Sequence, residues 1–417
     1  MRILHYTIGF APERTGGLVS YATDLMLEQI RIGHDVYALY PGNQLIFGKS
    51  PKVKNSKEKK GIKTFRLINS LPLALFGGIS QPDDFMKPCD SATFVKFLTK
   101  LQPEVIHIHS FIGLHKEFLE AASELGIRTV FTTHDYYGLA PLPTFYYNGV
   151  SFDEKNDNLA WNIMSADALS TIKLRIFQSS FYPTIRTWMK KLNQNPKHKK
   201  YKDINSIKEA TDYSRLRDYY SEMFRKIDFF HFNSQLTESI YRQNLPFVLN
   251  GHVLSITSSK IKKHNIHKVR KDGKQVIAYI GPDEEYKGYF DFLEFIKSID
   301  REQYDIKTYG HTPNEFAPDY VDQGGRFNQR DLTKIYSDID YLIVPSRWKE
   351  TFGLVILEAL SYDVTVFASE NVGAKDLLGE EGVFKTLEDF RLRHYNLDTD
   401  LKTLENHALE LISFYLT

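Results

Sequence analysis

Along the first 140 residues, short apolar runs alternate with segments whose apolar positions recur every three to four residues, the pattern of strands followed by helices in a parallel sheet. Arg2–Ile8 reads as the first strand. Gly16 and Gly17 follow in a loop, and Leu18, Tyr21, Ala22, Leu25 and Ile30 then line one face of a helix that ends at Gly33-His34. Val36–Tyr40, Val105–His109 and Thr129–Thr133 are further predicted strands. A helix over Phe118–Leu125 is stopped by Gly126, and His231–Ser234 closes a similar unit. Between 140 and 225 the alternation fades. It restarts with a strand at Val276–Gly281, a helix over Tyr289–Ile299 and a strand over Tyr304–Tyr309. A helix around Asp331–Tyr336, a strand over Tyr341–Val344, a helix from Gly353 to Leu360 and a strand over Val364–Ala368 complete it.

Two such halves predict two doubly wound, Rossmann-like α/β domains facing across a cleft, with ligands at the carboxyl ends of the strands. The expected bounds are 1–250 for the first domain, with an insert over 142–230, and 251–394 for the second. A helical tail over 395–417 is expected to pack back on the first. Asn250-Gly251 reads as a turn, and the polar, Lys-rich stretch 253–274 as a linker. A length of 417 residues is in keeping with two or three domains.

Composition narrows the class. Apolar residues make up 42% and charged residues 25%, which excludes a disordered or collagenous chain. The net charge of +1 provides no global pull toward nucleic acid, so any basic surface is local. One stands out. From Ala168 to Lys202 there is no acidic residue, while nine Lys and Arg are interleaved with Phe177, Phe181, Tyr182, Trp188, Met189 and Leu192. This is either a solvated helical face or a segment that docks on an anionic membrane surface. The single Cys89 allows no internal disulfide and no cysteine-based metal site, in keeping with a reducing cytosol. The N-terminus does not read as a signal peptide. The longest apolar stretch, Leu71–Ile79, is broken by Pro72, Gly77 and Gly78, so no spanning helix is expected. The expected location is cytoplasmic, with peripheral attachment to the inner face of the membrane through 168–202.

The segment with the sharpest chemistry is Pro345–Leu360, running from a strand end through a loop into a helix. Amides at a helix N-terminus attract phosphate, and Gly353 lets a ligand approach the backbone. Glu350 before the helix and Glu358 within it can accept hydrogen bonds from sugar hydroxyls on either side of that anion site. The plainer alternative is a surface loop with two solvated glutamates.

The flanking residues favour the first. Glu-x7-Glu, with Pro345-Ser346 upstream and Glu358-Ala359-Leu360 at its end, resembles the donor-sugar signature of retaining family 4 glycosyltransferases of the two-Rossmann GT-B fold. Gly16-Gly17 and Gly33-His34-Asp35-Val36 match that family's glycine loop and first helix, and His107-Ile108-His109 its cleft-facing strand end. Thr133-His134-Asp135-Tyr136, continuing to Pro141, is similar to the His-Asp-Tyr segment of its bacterial polysaccharide-building members. Asn250-Gly251 matches the hinge, Gly281 with Lys287-Gly288 the phosphate clamp, and Gly325 with Asp331-Leu332 the step before the signature.

The resemblance implies roles. Glu350 would hold hydroxyls of the donor sugar, as a positioning group rather than a nucleophile, and Glu358 the nucleotide ribose. Lys287 would neutralise the diphosphate with amides at Gly353, Leu354 and the Gly16-Gly17 loop, and Gly281 and Phe352 would complete the donor site. His134 would sit near the transferred sugar. His109, Asp135 and Tyr136 are acceptor-side candidates, although His109 reads equally as a satisfied core imidazole and His107 as a packing residue. The family usually has Arg after the clamp glycine; here that residue is Pro282, and Arg347, Arg14 or Lys349 would have to replace its charge. The implied reaction is metal-independent, retaining transfer of a sugar from a nucleoside diphosphate, most simply UDP, to a glycan hydroxyl. That glycan would be a lipid-linked capsular or cell-wall intermediate. No cofactor is expected. Asp338-Ile339-Asp340 has the letters of a metal-binding DxD but reads as a turn into a strand, and Asp398-Thr399-Asp400 as a helix start. The alternatives are a non-catalytic nucleotide-sugar-binding partner of another transferase and a nucleotide-sugar epimerase.

Overall fold

Strands that are apolar along their whole length bury both faces, which a parallel sheet flanked by helices provides. The computed structural model contains two such sheets and describes all residues except 46–49, 75–76, 179–200, 265–272, 396, 398–400 and 417. The chain divides into two compact units. The first is Met1–Asn233, Thr237–Ser258 and Leu404–Thr417, and the second is Ser234–Leu236 and Ser259–Thr403.

The first unit is built on β1 (Arg2–Tyr6), β2 (Asp35–Pro41), β3 (Lys52–Asn55), β4 (Lys63–Ile68), β5 (Val105–Ile108) and β6 (Arg128–Thr132). A small hairpin, β7 (Tyr146–Tyr147) and β8 (Val150–Ser151), precedes β9 (Phe229–Phe232) and β10 (Gly251–Val253). The main sheet has the order β10-β9-β6-β5-β1-β2-β4-β3, parallel throughout except where β3 runs against β4. Its helices are α1 (Gly17–Arg31), α2 (Ala92–Leu101), α3 (Lys116–Glu124), α4 (Asn158–Met164), α5 (Thr171–Phe177), α6 (Ser214–Arg225) and most of α7 (Gln235–Asn244). The order reverses between β1 and β5, so the carboxyl ends of these strands are the expected binding edge. The insert contributes the hairpin and α4–α6; most of its basic-aromatic run, 179–200, lies outside the described residues.

Two boundaries differ from the sequence reading. Gly251 is not a turn between domains but the first residue of the edge strand β10. A Cβ there would lie 2.2 Å from the Phe230 carbonyl oxygen, so glycine is needed for β10 to lie this close to β9. Apart from Ser234–Leu236, the chain stays in the first unit up to Ser258.

The C-terminal helix, Leu404–Leu416, is part of the first unit and is tied to it by polar bonds. The Tyr415 hydroxyl lies 2.6 Å from His107 Nδ1 and accepts from Gln29 Nε2 at 3.0 Å. The Tyr21 hydroxyl lies 2.7 Å from His407 Nε2, and Arg128 Nε donates to the Phe414 carbonyl. Tyr415→Phe leaves Gln29 and His107 with unmet bonds in a fully buried place. It is expected to destabilise the first unit by about 1–3 kcal/mol, read by urea unfolding; an unchanged midpoint would show that the hydroxyl contributes nothing.

The second unit carries β11 (Gln275–Ile280), β12 (Tyr304–Tyr309), β13 (Val321–Gly325), β14 (Tyr341–Val344), β15 (Thr365–Ser369) and β16 (Val383–Phe384). Their order is β13-β12-β11-β14-β15-β16, all parallel, the doubly wound order with its switch point between β11 and β14. Its helices are α8 (Tyr289–Phe295), α9 (Leu332–Ser337) and α10 (Leu354–Ser361), and the helix at Leu404–Leu416 becomes α11. Tyr279, Tyr289, Phe292, Ile306, Ile343 and Phe367 pack one core against the sheet. Among the described residues, no helix is long and apolar enough to cross a membrane.

Candidate functional site

In the second unit the candidate residues converge at the switch point. β11 ends at Gly281. After it, a short 3-10 turn over Glu285–Lys287 leads into Gly288, whose φ is +74°. A Cβ at 288 would lie 1.8 Å from the Pro345 carbonyl oxygen, so glycine lets the Lys287 turn lie directly against the end of β14. The loop after β14 carries Glu350, held by its amide donating to the Asn371 carbonyl at 2.8 Å. The result is an ion pair. Lys287 Nζ lies 2.8 Å from Glu350 Oε1, with the side chains only 22% and 15% exposed. Ser346 Oγ donates to the other Glu350 oxygen at 3.1 Å, and the lysine ammonium lies 5.0 Å from the centre of the Trp348 ring.

Gly353, with φ +100°, turns the chain into α10. A Cβ built there would be 3.9 Å from Glu350 Oε1, which places the glutamate beside the helix N-terminus. The first N–H groups of α10 have no acceptor within the helix and can take an anion. Glu358 lies one turn into α10, where its Oε2 accepts from the Tyr336 hydroxyl at 3.1 Å. Burial pushes its carboxyl up, opposed by the Lys260 charge. Phe352 has a different place from the one expected. Its side chain is buried, so only its backbone is available to a donor.

Arg347 does not replace the charge absent at Pro282. Its guanidinium is paired with Asp291, Nε at 2.6 Å, and with Glu285 at 3.1 Å. Arg14 belongs to the first unit. The DxD letters lie at the start of β14, the end of the strand away from the site. Asp340 accepts from the Val276 amide there, and Asp338 pairs with Lys307. Asp398-Thr399-Asp400 lies outside the described residues.

In the first unit, Gly16, with φ +125°, is the N-cap of α1, and it and Gly17 are exposed. The larger feature is a histidine network that sequence reasoning missed. The parallel register sets His5 on β1 beside His107 on β5. His5 Nε2 is 2.7 Å from Gln29 Oε1, His5 Nδ1 is 3.0 Å from His109 Nε2, and His109 Nδ1 is 3.1 Å from His134 Nε2. Gln29 donates through Nε2 to Tyr415, so its Oε1 must accept from His5, and the tautomers follow in series. His109 donates to His5, and His134 donates to His109. Burial lowers every imidazole, His134 to about 3 and His5 to about 4, with His107 and His109 well below the ordinary value. These four imidazoles are therefore neutral at pH 7 and add no positive charge to this edge. A second branch joins His107 through Thr132 to His231 and on to the Leu254 carbonyl. His107 is thus a bonded member of a network rather than a packing residue.

The three acceptor-side candidates are internal, which corrects the expectation that they face an acceptor. His109 is completely buried in the imidazole stack, and Tyr136 is completely buried against Phe145 and Tyr241. Asp135 accepts from Ser110 Oγ and from the Tyr137 amide, and burial raises its carboxyl to about 7. These residues hold the segment that presents His134. The only sequence trace of the network was five histidines at strand ends, without any sign of which faced one another.

Two groups among the described residues have donor atoms close enough for a metal, His5/His107/His109 and Cys89/His115/Glu117. In the first, both ring nitrogens of every histidine already have hydrogen-bond partners.

Residues 15–168 match the family described as Glycosyltransferase Family 4, and residues 260–386 match Glycosyl transferases group 1. No curated protein sequence matches the chain. Among solved structures, sucrose-phosphate synthase from Thermosynechococcus elongatus is 13% identical with a TM-score of 0.52, covering 100% of this chain and 90% of that one. The lipopolysaccharide outer core galactosyltransferase WaaB is 12% identical with a TM-score of 0.54, covering 93% and 88%. The Anabaena protein HepE in complex with UDP is 12% identical with a TM-score of 0.53, covering 99% and 89%. At these identities the likeness is one of fold.

Proposed function

This chain belongs to the family 4 glycosyltransferases of the GT-B fold, and we propose that it transfers a sugar from a UDP-linked donor to a glycan hydroxyl with retention of configuration and without a catalytic metal. The observation that carries this reading is the Lys287–Glu350 pair beside the N-terminus of α10, with Glu358 one turn further along. The sugar–phosphate bond breaks with its electron pair going to the diphosphate, and the anomeric carbon becomes oxocarbenium-like. Lys287 and the α10 amides are fixed positive groups where that negative charge grows. Glu350, released from Lys287 by the incoming diphosphate, accepts sugar hydroxyls. Glu358 accepts the ribose hydroxyls. The acceptor oxygen attacks from the face the diphosphate leaves and passes its proton to a diphosphate oxygen. His134 is the first-unit residue that the family resemblance assigns to the transferred sugar. UDP is the first donor to test because HepE, of the same fold, is a UDP complex. A lipid-linked capsular or cell-wall acceptor, met at the cytoplasmic membrane surface through 168–202, is the acceptor class in keeping with the basic-aromatic insert.

One observation favours a second reading, donor binding without turnover. With Pro282 in the clamp and Arg347 closed onto two carboxylates, the leaving group meets one fewer cation.

Thermal unfolding with UDP, GDP, ADP and TDP and their sugars separates these readings. Ligand at a hundred times its dissociation constant adds about 2.7 kcal/mol. UDP is expected to stabilise the wild type, and Glu358→Ala to abolish the shift. Stabilisation by none of the four would refute the donor assignment, and stabilisation without turnover across acceptors would favour the second reading.

A further inference from the structure

We propose that Cys89, His115 and Glu117 form a zinc-type metal site in the first unit that ties the loop after the Pro82–Phe85 turn to the start of α3. One donor atom from each residue lies within 4.8 Å of the other two. His115 is 4% exposed and Glu117 8%, and each has a buried polar atom without a hydrogen-bond partner, Nδ1 of His115 and Oε2 of Glu117. Such atoms are costly unless something binds them.

The remaining bonds prepare these atoms for a cation. His115 Nε2 lies 3.3 Å from the Asn69 carbonyl oxygen, which takes its N–H and leaves the lone pair on Nδ1. That is the arrangement of a metal-binding imidazole with its other nitrogen on a backbone carbonyl. Glu117 uses its second oxygen, Oε1, to accept from the Cys89 amide at 3.0 Å, which holds the carboxylate beside the thiol. A thiolate, an imidazole and a carboxylate suit Zn2+, whereas a sulfur ligand argues against Ca2+ or Mg2+. Ligands around a tetrahedral zinc lie about 3.4–3.8 Å apart, so the group closes by about an ångström on binding. Cys89 and His115 also line a cavity of about 570 Å3, which leaves room for water as the fourth ligand. One cysteine suffices because the set is mixed, and counting cysteines in the sequence therefore missed it.

The test uses Co2+ on the full-length chain after chelator treatment. The expected result is one Co2+ per chain with an intense near-ultraviolet sulfur-to-cobalt charge-transfer band, bleached by Zn2+. The band should vanish in Cys89→Ser, and Co2+ affinity should fall at least about tenfold in Glu117→Gln. Should Cys89→Ser fail to fold, the wild-type spectrum and Glu117→Gln decide. Co2+ binding without the band, as the sulfur-free His5/His107/His109 group would give, overturns the proposal. So does no binding, a band that survives Cys89→Ser, or unchanged affinity in Glu117→Gln.

Discussion

Glu350→Ala and Lys287→Ala are each expected to lower turnover by about 10²–10³-fold while the chain stays folded. Both side chains are more than three-quarters buried and bonded to each other, so neither is a solvated surface group. Their charges count most where charge develops. On the proposed mechanism, loss of Lys287 removes a cation facing the departing diphosphate, whose negative charge is greatest in the transition state, so kcat should fall more than KM rises. On the same mechanism, loss of Glu350 leaves the sugar hydroxyls without a hydrogen-bond acceptor, and it leaves Lys287 without its partner. The measurement is steady-state sugar transfer beside a thermal melt of each variant. Full activity in both would sink the assignment.

Acidification from pH 7 to 4 is expected to destabilise the first unit steeply. His5, His107, His109 and His134 have ordinary values of 6.5, and all are depressed in the fold, His5 to about 4 and His134 to about 3. Below pH 6.5 the unfolded chain takes up protons that the folded chain refuses, so stability falls as pH drops. Each refused proton removes about 1.4 kcal/mol per pH unit. Asp135 acts in the opposite sense. Its carboxyl is raised from 3.8 to about 7, so it stabilises the fold at low pH and that contribution is lost as pH rises to 7. Four imidazoles outweigh one carboxyl, and the net slope reaches about 4 kcal/mol per pH unit at its steepest. Urea midpoints at half-unit pH steps, with amide exchange in β1 and β5 as a local readout, test this. A flat profile between pH 6.5 and 5 would mean that the histidines are hydrated.

The sequence by itself determined the architecture and which residues of the Pro345–Leu360 segment share one helix end. Apolar runs buried on both faces, separated by helices that Gly33, Gly126 and similar residues end, admit little besides parallel sheets. The Pro345–Leu360 segment carries Glu350, Gly353 and Glu358 within nine residues, so local chain geometry alone brings them to one helix end. Only the tertiary structure paired Lys287 with Glu350, because the approach depends on Gly288 accepting the Pro345 carbonyl 57 residues away in the chain. The same is true of the histidines. His5, His109 and His134 become one series only through strand register, and Gln29 sets their tautomers only because the hydroxyl of Tyr415, from the far end of the chain, accepts a hydrogen bond from its amide nitrogen. Burial, which no local pattern displays, then decided their charge. It turned three expected acceptor contacts into the internal support of His134.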